Sequence, residues 1–278
     1  ADDICSPHPM SRLLQGDVGS GKTVVATYAA VIAIQSGYQV AFMAPTEILA
    51  KQHYDKIRNQ ILEIRGQNKE IKVTLLVSSL DKKDKEKNYQ EIKNGKVDLV
   101  IGTHALLEDA VQFKNLGLVV IDEQHKFGVA QRAILPQKGN NPDVLIMTAT
   151  PIPRTLAITL YGDMDISVID ELPPGRKPIV TRSVREAKRK EVYQFIREKV
   201  KVGRQAYIVY PLINESYALD LQAAEQMYKE LKKNEFKDLR LGLVHSKISE
   251  EAQDRTMADF KAGLIDVLVS TTVLEVGI

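Results

Sequence analysis

Gln15-Gly16-Asp17-Val18-Gly19-Ser20-Gly21-Lys22-Thr23 contains an unbroken Gly-x-x-x-x-Gly-Lys-Thr loop, and few short segments constrain a fold so tightly. Leu13-Leu14 precedes it as the end of an apolar run, and the helix-favouring stretch Thr23 to Ser36 follows. The order is therefore strand, phosphate loop, helix, which demands a parallel sheet with a crossover helix. Glycines let backbone N–H groups turn inward around a phosphate, and the helix N-terminus adds partial positive charge. Lys22 is placed to reach the outer phosphates, and the Thr23 hydroxyl to ligate Mg²⁺. The expected ligand is a nucleoside triphosphate held by Gly16, Asp17, Val18, Gly19, Ser20, Gly21, Lys22 and Thr23.

With 278 residues the chain is long enough for two domains, each with its own core. No apolar run reaches the length of a membrane helix, and the first residues lack the layout of a signal peptide, so a cytoplasmic protein is expected. Cys5 is the only cysteine, which excludes an intrachain disulfide; the five histidines lack close metal-ligand spacing, so no structural metal is expected. A net charge of +2 neither advertises nor excludes nucleic acid, because a binding stripe can sit on a nearly neutral molecule.

Apolar runs suited to buried strands recur at Val40–Ala44, Val73–Val77, Val97–Ile101, Leu116–Ile121 and Val144–Met147, separated by polar or helix-periodic stretches. Thr23 to Ser36 is almost wholly apolar and stops at Gly37, as a helix enclosed largely by protein would. Asp81 to Lys93 is highly charged and reads as a solvated helix or loop, with a basic nucleic-acid patch as the alternative.

Leu172-Pro173-Pro174-Gly175-Arg176-Lys177-Pro178 breaks any helix or central strand and predicts an interdomain linker, with domains at 1–172 and 179–278 joined by 173–178. Beyond it the alternation restarts with a strand at Ile179–Val184, a helix carrying Val192, Phe195, Ile196 and Val200, and a strand at Ala206–Tyr210. A helix with Ala224, Met227, Tyr228 and Leu231 on one face, a strand Leu241–Val244, a Ser249-capped helix ending near Gly263 and a strand Val267–Ser270 complete the pattern.

Leu116 to Ile121 runs straight into Asp122-Glu123-Gln124-His125, placing two acids at the C-terminal end of a buried strand, where open α/β sheets bind ligands. Asp122 suits a Mg²⁺ shell and Glu123 suits polarisation of the attacking water, while two adjacent acids on a surface are the plain alternative. His125 reads as a γ-phosphate sensor, a link from Glu123 to the next motif, or a structural histidine.

These segments together resemble superfamily 2 helicases. Ala44-Pro45-Thr46-Glu47 is similar to motif Ia, Ile101-Gly102-Thr103-His104 to motif Ib or Ic, and Thr148-Ala149-Thr150-Pro151 to motif III. Ile208-Val209-Tyr210-Pro211 resembles motif IV, Val244-His245-Ser246 motif IVa, and Val269 to Gly277 motif V. Gly102-Thr103-His104-Ala105-Leu106, Phe127-Gly128-Val129, Gln131-Arg132, Thr148 to Arg154 and the Pro-Pro-Gly-Arg segment narrow the resemblance to the RecG family of bacterial branch-migrating helicases. The motor of the transcription-repair coupling factor is the nearest alternative.

The resemblance implies two tandem RecA-like α/β domains with parallel sheets, the second truncated, and ATP held between them with Mg²⁺. It implies ATP hydrolysis with Lys22, Asp122, Glu123 and His125 as catalytic residues, Thr23 and Asp122 on the metal, and Gly277 on the nucleotide. DNA would cross an opposite edge, gripped at its backbone by Thr46, Thr103, Ser246, Thr271 and Thr272. It further implies 3' to 5' movement, replication forks and Holliday junctions as substrates, contact with single-stranded-DNA-binding protein, a monomer, and a place near the bacterial nucleoid. A non-hydrolysing nucleotide switch and a metabolic phosphotransferase are the other classes compatible with a phosphate loop, and the motifs leave RNA open as substrate. The family's wedge domain, its upstream adenine-reading glutamine, and motif VI with its arginine finger have no counterpart in this sequence, so a motor fragment is expected.

Overall fold

The computed structural model describes residues 6, 8–63, 70–123, 127, 134–150, 164–171, 179–210, 217–245 and 247–271. The chain divides into two units, Ala1–Lys177 and Pro178–Ile278.

The first unit is built on β1 (Ser11–Gly16), β2 (Gln39–Met43), β3 (Val73–Leu76), β4 (Leu99–Gly102), β5 (Leu116–Asp122), β6 (Asp143–Thr148) and β7 (Asp165–Ile169). They form one sheet in the order β3-β4-β2-β5-β6-β1-β7, and every pair is parallel. Parallel strands need crossovers that cover both faces, so the central strands are buried on both sides and read as near-continuous apolar runs. All residues of β2 and β4 are buried.

The pleat sorts alternate residues into two cores. Leu14, Val40, Phe42, Leu99, Ile101, Leu118, Val120 and Met147 pack with α1 (Lys22–Gln35) and α2 (Glu47–Glu63). Leu13, Ala41, Met43, Val100, Val119, Ile121 and Ile146 face the other way, where Ile92 of α3 (Lys82–Lys93) joins them. Phe42 is fully buried, and burial of such a side chain contributes roughly 1.5–3 kcal/mol.

α1 ends as its sequence predicts: Gly37 takes φ 87°, and the amides of Gly37 and Tyr38 return to the carbonyls of Ile34 and Ala33. Its flanks are less enclosed than its composition predicts, since Val24, Val25 and Tyr28 are exposed. Small residues account for this: Ala26, Ala29, Ala30 and Ala33 supply the close-packing face, leaving the larger side chains on the far side. The Asp81–Lys93 segment is a helix with one buried residue, Ile92. β7 was not apparent in the sequence, because its exposure alternates weakly and it lies at the sheet edge beside β1.

The second unit holds β8 (Ala206–Tyr210), β9 (Leu241–Val244) and β10 (Val267–Thr271) in a parallel sheet of order β8-β10-β9. Tyr193 and Ile196 of the helix Arg189–Lys201, with Tyr228, Leu231 and Phe236, pack on Ile208 and Val269. Phe260 and Met257 of the helix Glu250–Lys261 pack with Val244 and Leu268.

Two further expectations change. Ile179–Val184 forms no strand; Ile179 and Val180 are exposed and pair with no strand of the described sheet, and an apolar run without a neighbour has no ladder to join. Ser249 is the N-cap residue of the last helix but makes no side-chain capping bond. The expected linker at 173–178 lies outside the described residues. No described helix is long and apolar enough to cross a membrane.

Candidate active site

β1 and β5 both flank β6, and the registers Gln15 with Thr148 and Asp122 with Met147 bring their C-terminal ends level. Strands in a sheet lie about 4.8 Å apart, so the phosphate loop and the acid pair sit roughly 10 Å from each other on one edge. That edge is also where the strand order reverses, since the chain leaves β1 and crosses β6 and β5 to build β2.

The phosphate loop is shaped by its glycines. Gly19 and Gly21 take φ values of 80° and 99°, a region that only glycine adopts cheaply. The amide of Ser20 donates to Asp17 O at 3.1 Å, and the amide of Val18 donates to Asp17 Oδ1 at 2.7 Å, which closes the turn. α1 then begins with no side-chain cap and no acidic residue in its first turn. An ordinary helix uses such groups to satisfy its first N–H donors and its dipole; here neither a side-chain cap nor a first-turn acid does so.

Lys22 is buried, and its Nζ donates to the carbonyls of Gly16 at 2.7 Å and Asp17 at 2.9 Å. Burial lowers its pKa, while Asp122, Glu123 and Asp17 act in the opposite direction and Lys56 of α2 adds to the lowering. The loop lysine thus feels both Asp122 at the end of β5 and Glu123 just after it.

Asp122 continues the alternation of Leu118 and Val120, so its side chain points to the face covered by α1 and α2. It is 7% exposed, its Oδ1 accepts the Glu123 amide at 3.1 Å, and its Oδ2 lies 2.7 Å from Nε2 of His53. Glu123 takes φ 46°, an uncommon conformation for a non-glycine residue and typical of sites where geometry is imposed. Its Oε2 accepts a long bond from the Ala149 amide at 3.5 Å, and the hydroxyls of Thr148 and Thr150 lie 2.9 Å apart. The third motif is thereby joined to the acid pair through β6.

The donor set fits Mg²⁺. A buried carboxylate and the hydroxyl of Thr23 in the first turn of α1 are hard oxygen ligands, and this ion takes one or two carboxylates together with substrate phosphates. No cluster of three or more His, Cys, Asp or Glu suited to a metal occurs among the described residues, and such a shared site needs none.

The residues expected on the other side of the sheet edge are placed unevenly. Thr46 is exposed and its hydroxyl accepts the Leu49 amide at 3.3 Å, capping α2. Glu47 binds the amide and hydroxyl of Ser79, and His104 meets Ser78 at 3.2 Å, so the loops after β2, β3 and β4 are stitched together. Thr103 and Thr271 are each 1% exposed, with hydroxyls that have no partner among the described residues. His125, Ser246, Thr272 and Gly277 lie outside the described residues.

His53 was missed in the sequence. It falls on the buried stripe of α2 with Ala50, Ile57 and Ile61, and a histidine at an apolar position was the available signal.

The DEAD/DEAH box helicase family model matches residues 4–158, and that of the helicase conserved C-terminal domain matches residues 187–278. The ATP-dependent DNA helicase RecG of Thermotoga maritima is 51% identical over 277 residues, covering 100% of this chain and 35% of the relative. That of Streptococcus pneumoniae is 50% identical over 276 residues, covering 99% of this chain and 40% of the relative. The chain thus spans little more than a third of the length of these curated relatives. A solved structure of RecG bound to a three-way DNA junction superposes with a TM-score of 0.75 at 48% identity, over 100% of this chain and 35% of that one. A variant of S. cerevisiae Dbp5 bound to RNA and ADP BeF3, at 18% identity and a TM-score of 0.71 over 99% of this chain and 69% of its own, shares the fold. With two tandem RecA-like units, a phosphate loop level with an Asp-Glu pair and this degree of identity throughout, the chain belongs to the DEAD/DEAH box helicases of superfamily 2, in the RecG family.

Proposed function

We propose that this chain is the ATP-hydrolysing motor of a DNA helicase or double-stranded DNA translocase that remodels branched DNA. The observation that supports this most is the level placement of the phosphate loop and the acid pair, with Lys22 electrostatically coupled to Asp122 and Glu123. Residues 1–172 and 179–278 serve as the two motor domains, joined at 173–178.

On nucleotide binding, Lys22 exchanges the carbonyls of Gly16 and Asp17 for the outer phosphates, a swap of neutral acceptors for charged ones. Gly16 to Thr23 and the uncapped start of α1 cradle the triphosphate. Thr23 and Asp122 hold Mg²⁺, which neutralises charge on the phosphates. Glu123 orients and polarises the attacking water, and its contact with Ala149 relays the state of that site to the third motif. His125 and Gly277 complete the nucleotide site.

DNA is held at its backbone by Thr46, Thr103, Ser246, Thr271 and Thr272, without base readout. The hydroxyls of Thr103 and Thr271, without a partner among the described residues, support this, because a buried hydroxyl costs free energy until a rearrangement supplies an acceptor. Replication forks and Holliday junctions are the proposed substrates, with 3' to 5' movement, a monomeric motor, contact with single-stranded-DNA-binding protein and a cytoplasmic place near the nucleoid. ATP hydrolysis measured with forked DNA, linear duplex and matched RNA tests the reading. Stimulation by forked DNA above the other two is expected, and indifference to all three overturns it.

A further inference from the structure

We infer that His53 is a positioning residue for the metal-side carboxylate: its Nε2–H bond, delivered from α2, sets the direction in which Asp122 faces Mg²⁺. The inference rests on the reading of Asp122 as a magnesium ligand. An ionised carboxylate only accepts hydrogen bonds, so Nε2 of His53 carries the proton in the 2.7 Å contact with Asp122 Oδ2. Among the described residues no other side chain donates to Asp122; Lys22 is engaged with Gly16 and Asp17, and the Glu123 amide serves Oδ1.

The ring is itself held firmly. It lies 4.7 Å from the Phe42 ring at an interplanar angle of 47°, and Phe42 sits one strand from Val120 in register. Two turns further along α2, Gln60 meets the Thr27 hydroxyl of α1 at 2.8 Å, which locks the helix against the one that follows the phosphate loop. A histidine that served packing alone would cost desolvation that leucine avoids at this position. Here the polar atom faces the one buried carboxylate of the site, and partners of this kind typically contribute about 10–100-fold in metal affinity.

Two variants separate positioning from packing. His53→Leu keeps apolar contact with Phe42 and removes the donor; His53→Gln keeps a donor near the same point. Affinity for a fluorescent ADP analogue is measured in EDTA and across a Mg²⁺ titration, with Mn²⁺ binding to the protein–ADP complex followed by electron paramagnetic resonance. His53→Leu is expected to raise the Mg²⁺ and Mn²⁺ required by about 10–100-fold, while affinity in EDTA is unchanged and His53→Gln recovers most of the loss. In an Asp122→Asn background His53→Leu adds nothing. The inference is overturned if His53→Leu leaves the metal requirement unchanged, weakens binding equally in EDTA, or is matched by His53→Gln. Should the unaltered chain show no Mg²⁺-dependent nucleotide binding, the reading of Asp122 falls first. A normal response in that chain with an unaltered His53→Leu variant removes the role of His53 alone.

Discussion

Nζ of Lys22 lies 2.7 Å from the carbonyl oxygen of Gly16, so the ammonium of this lysine is held by the backbone of its own loop. Burial lowers the pKa of this lysine, so the folded state carries its charge at a cost that builds as pH falls from the ordinary lysine value to the lowered one and is fully present below it. Stability contributed by a neutral replacement is therefore gained, not lost, below that pH.

Lys22→Met, which keeps the stem and removes the charge, should leave the melting temperature equal or higher. Nucleotide affinity should fall by about 10–100-fold, the value of one or two charge-assisted hydrogen bonds. DNA binding should persist, because the proposed contacts at Thr46 and Thr103 follow other strands. Calorimetry and fluorescent-nucleotide titration check both halves, and a large drop in melting temperature would assign Lys22 a structural role.

Glu123→Gln retains the shape of the side chain and the contact with Ala149 while removing the basic oxygen. Nucleotide should bind as before and hydrolysis should slow by about 10²–10⁴-fold in single-turnover measurements. Hydrolysis at the unaltered rate would remove Glu123 from the chemistry.

Gly102→Ala should destabilise the first unit by about 1–3 kcal/mol, because overpacking against backbone has no soft way out. A Cβ at this position would collide with the carbonyl oxygen of Leu76 and stand 3.0 Å from Cγ of Leu106. The strain falls where β3 and β4 hand over to the Thr103 loop, so DNA-stimulated hydrolysis should fall more than basal hydrolysis. Denaturant unfolding and paired ATPase assays measure the two effects.

In the second unit Asp266 accepts three bonds from Arg240, from its amide, its Nε and its Nη2. These bonds hold the Asp266 pKa below the usual carboxylate range, so the stability they supply is present at neutral pH and is lost as pH falls through the depressed value. Asp266→Asn should melt earlier than the unaltered chain at neutral pH. The gap should narrow as the pH is lowered through the carboxylate range, and a gap constant with pH would assign the loss to packing.

The alternation of apolar runs and helix-periodic segments, with the loop at Gly16 to Thr23 and the acids at Asp122 and Glu123, was sufficient to read parallel α/β units and a nucleotide site from sequence. Each of those signals is local: a period of two or 3.6 residues, or a glycine pattern, requires only its own neighbours. The strand order β3-β4-β2-β5-β6-β1-β7 is not local, and it alone brings Gln15 and Asp122 to one edge. Ile179–Val184 has the composition of a strand and β7 has little of it, yet only β7 is paired, since a strand is defined by the neighbour that completes its hydrogen bonds. His53 shows the same limit most sharply. Its sequence neighbours mark an apolar helix stripe, and 69 residues separate it from the carboxylate it meets. The sequence determined where the phosphate loop and the acid pair fall along the chain; the packing of α2 across the sheet decided which histidine would meet Asp122.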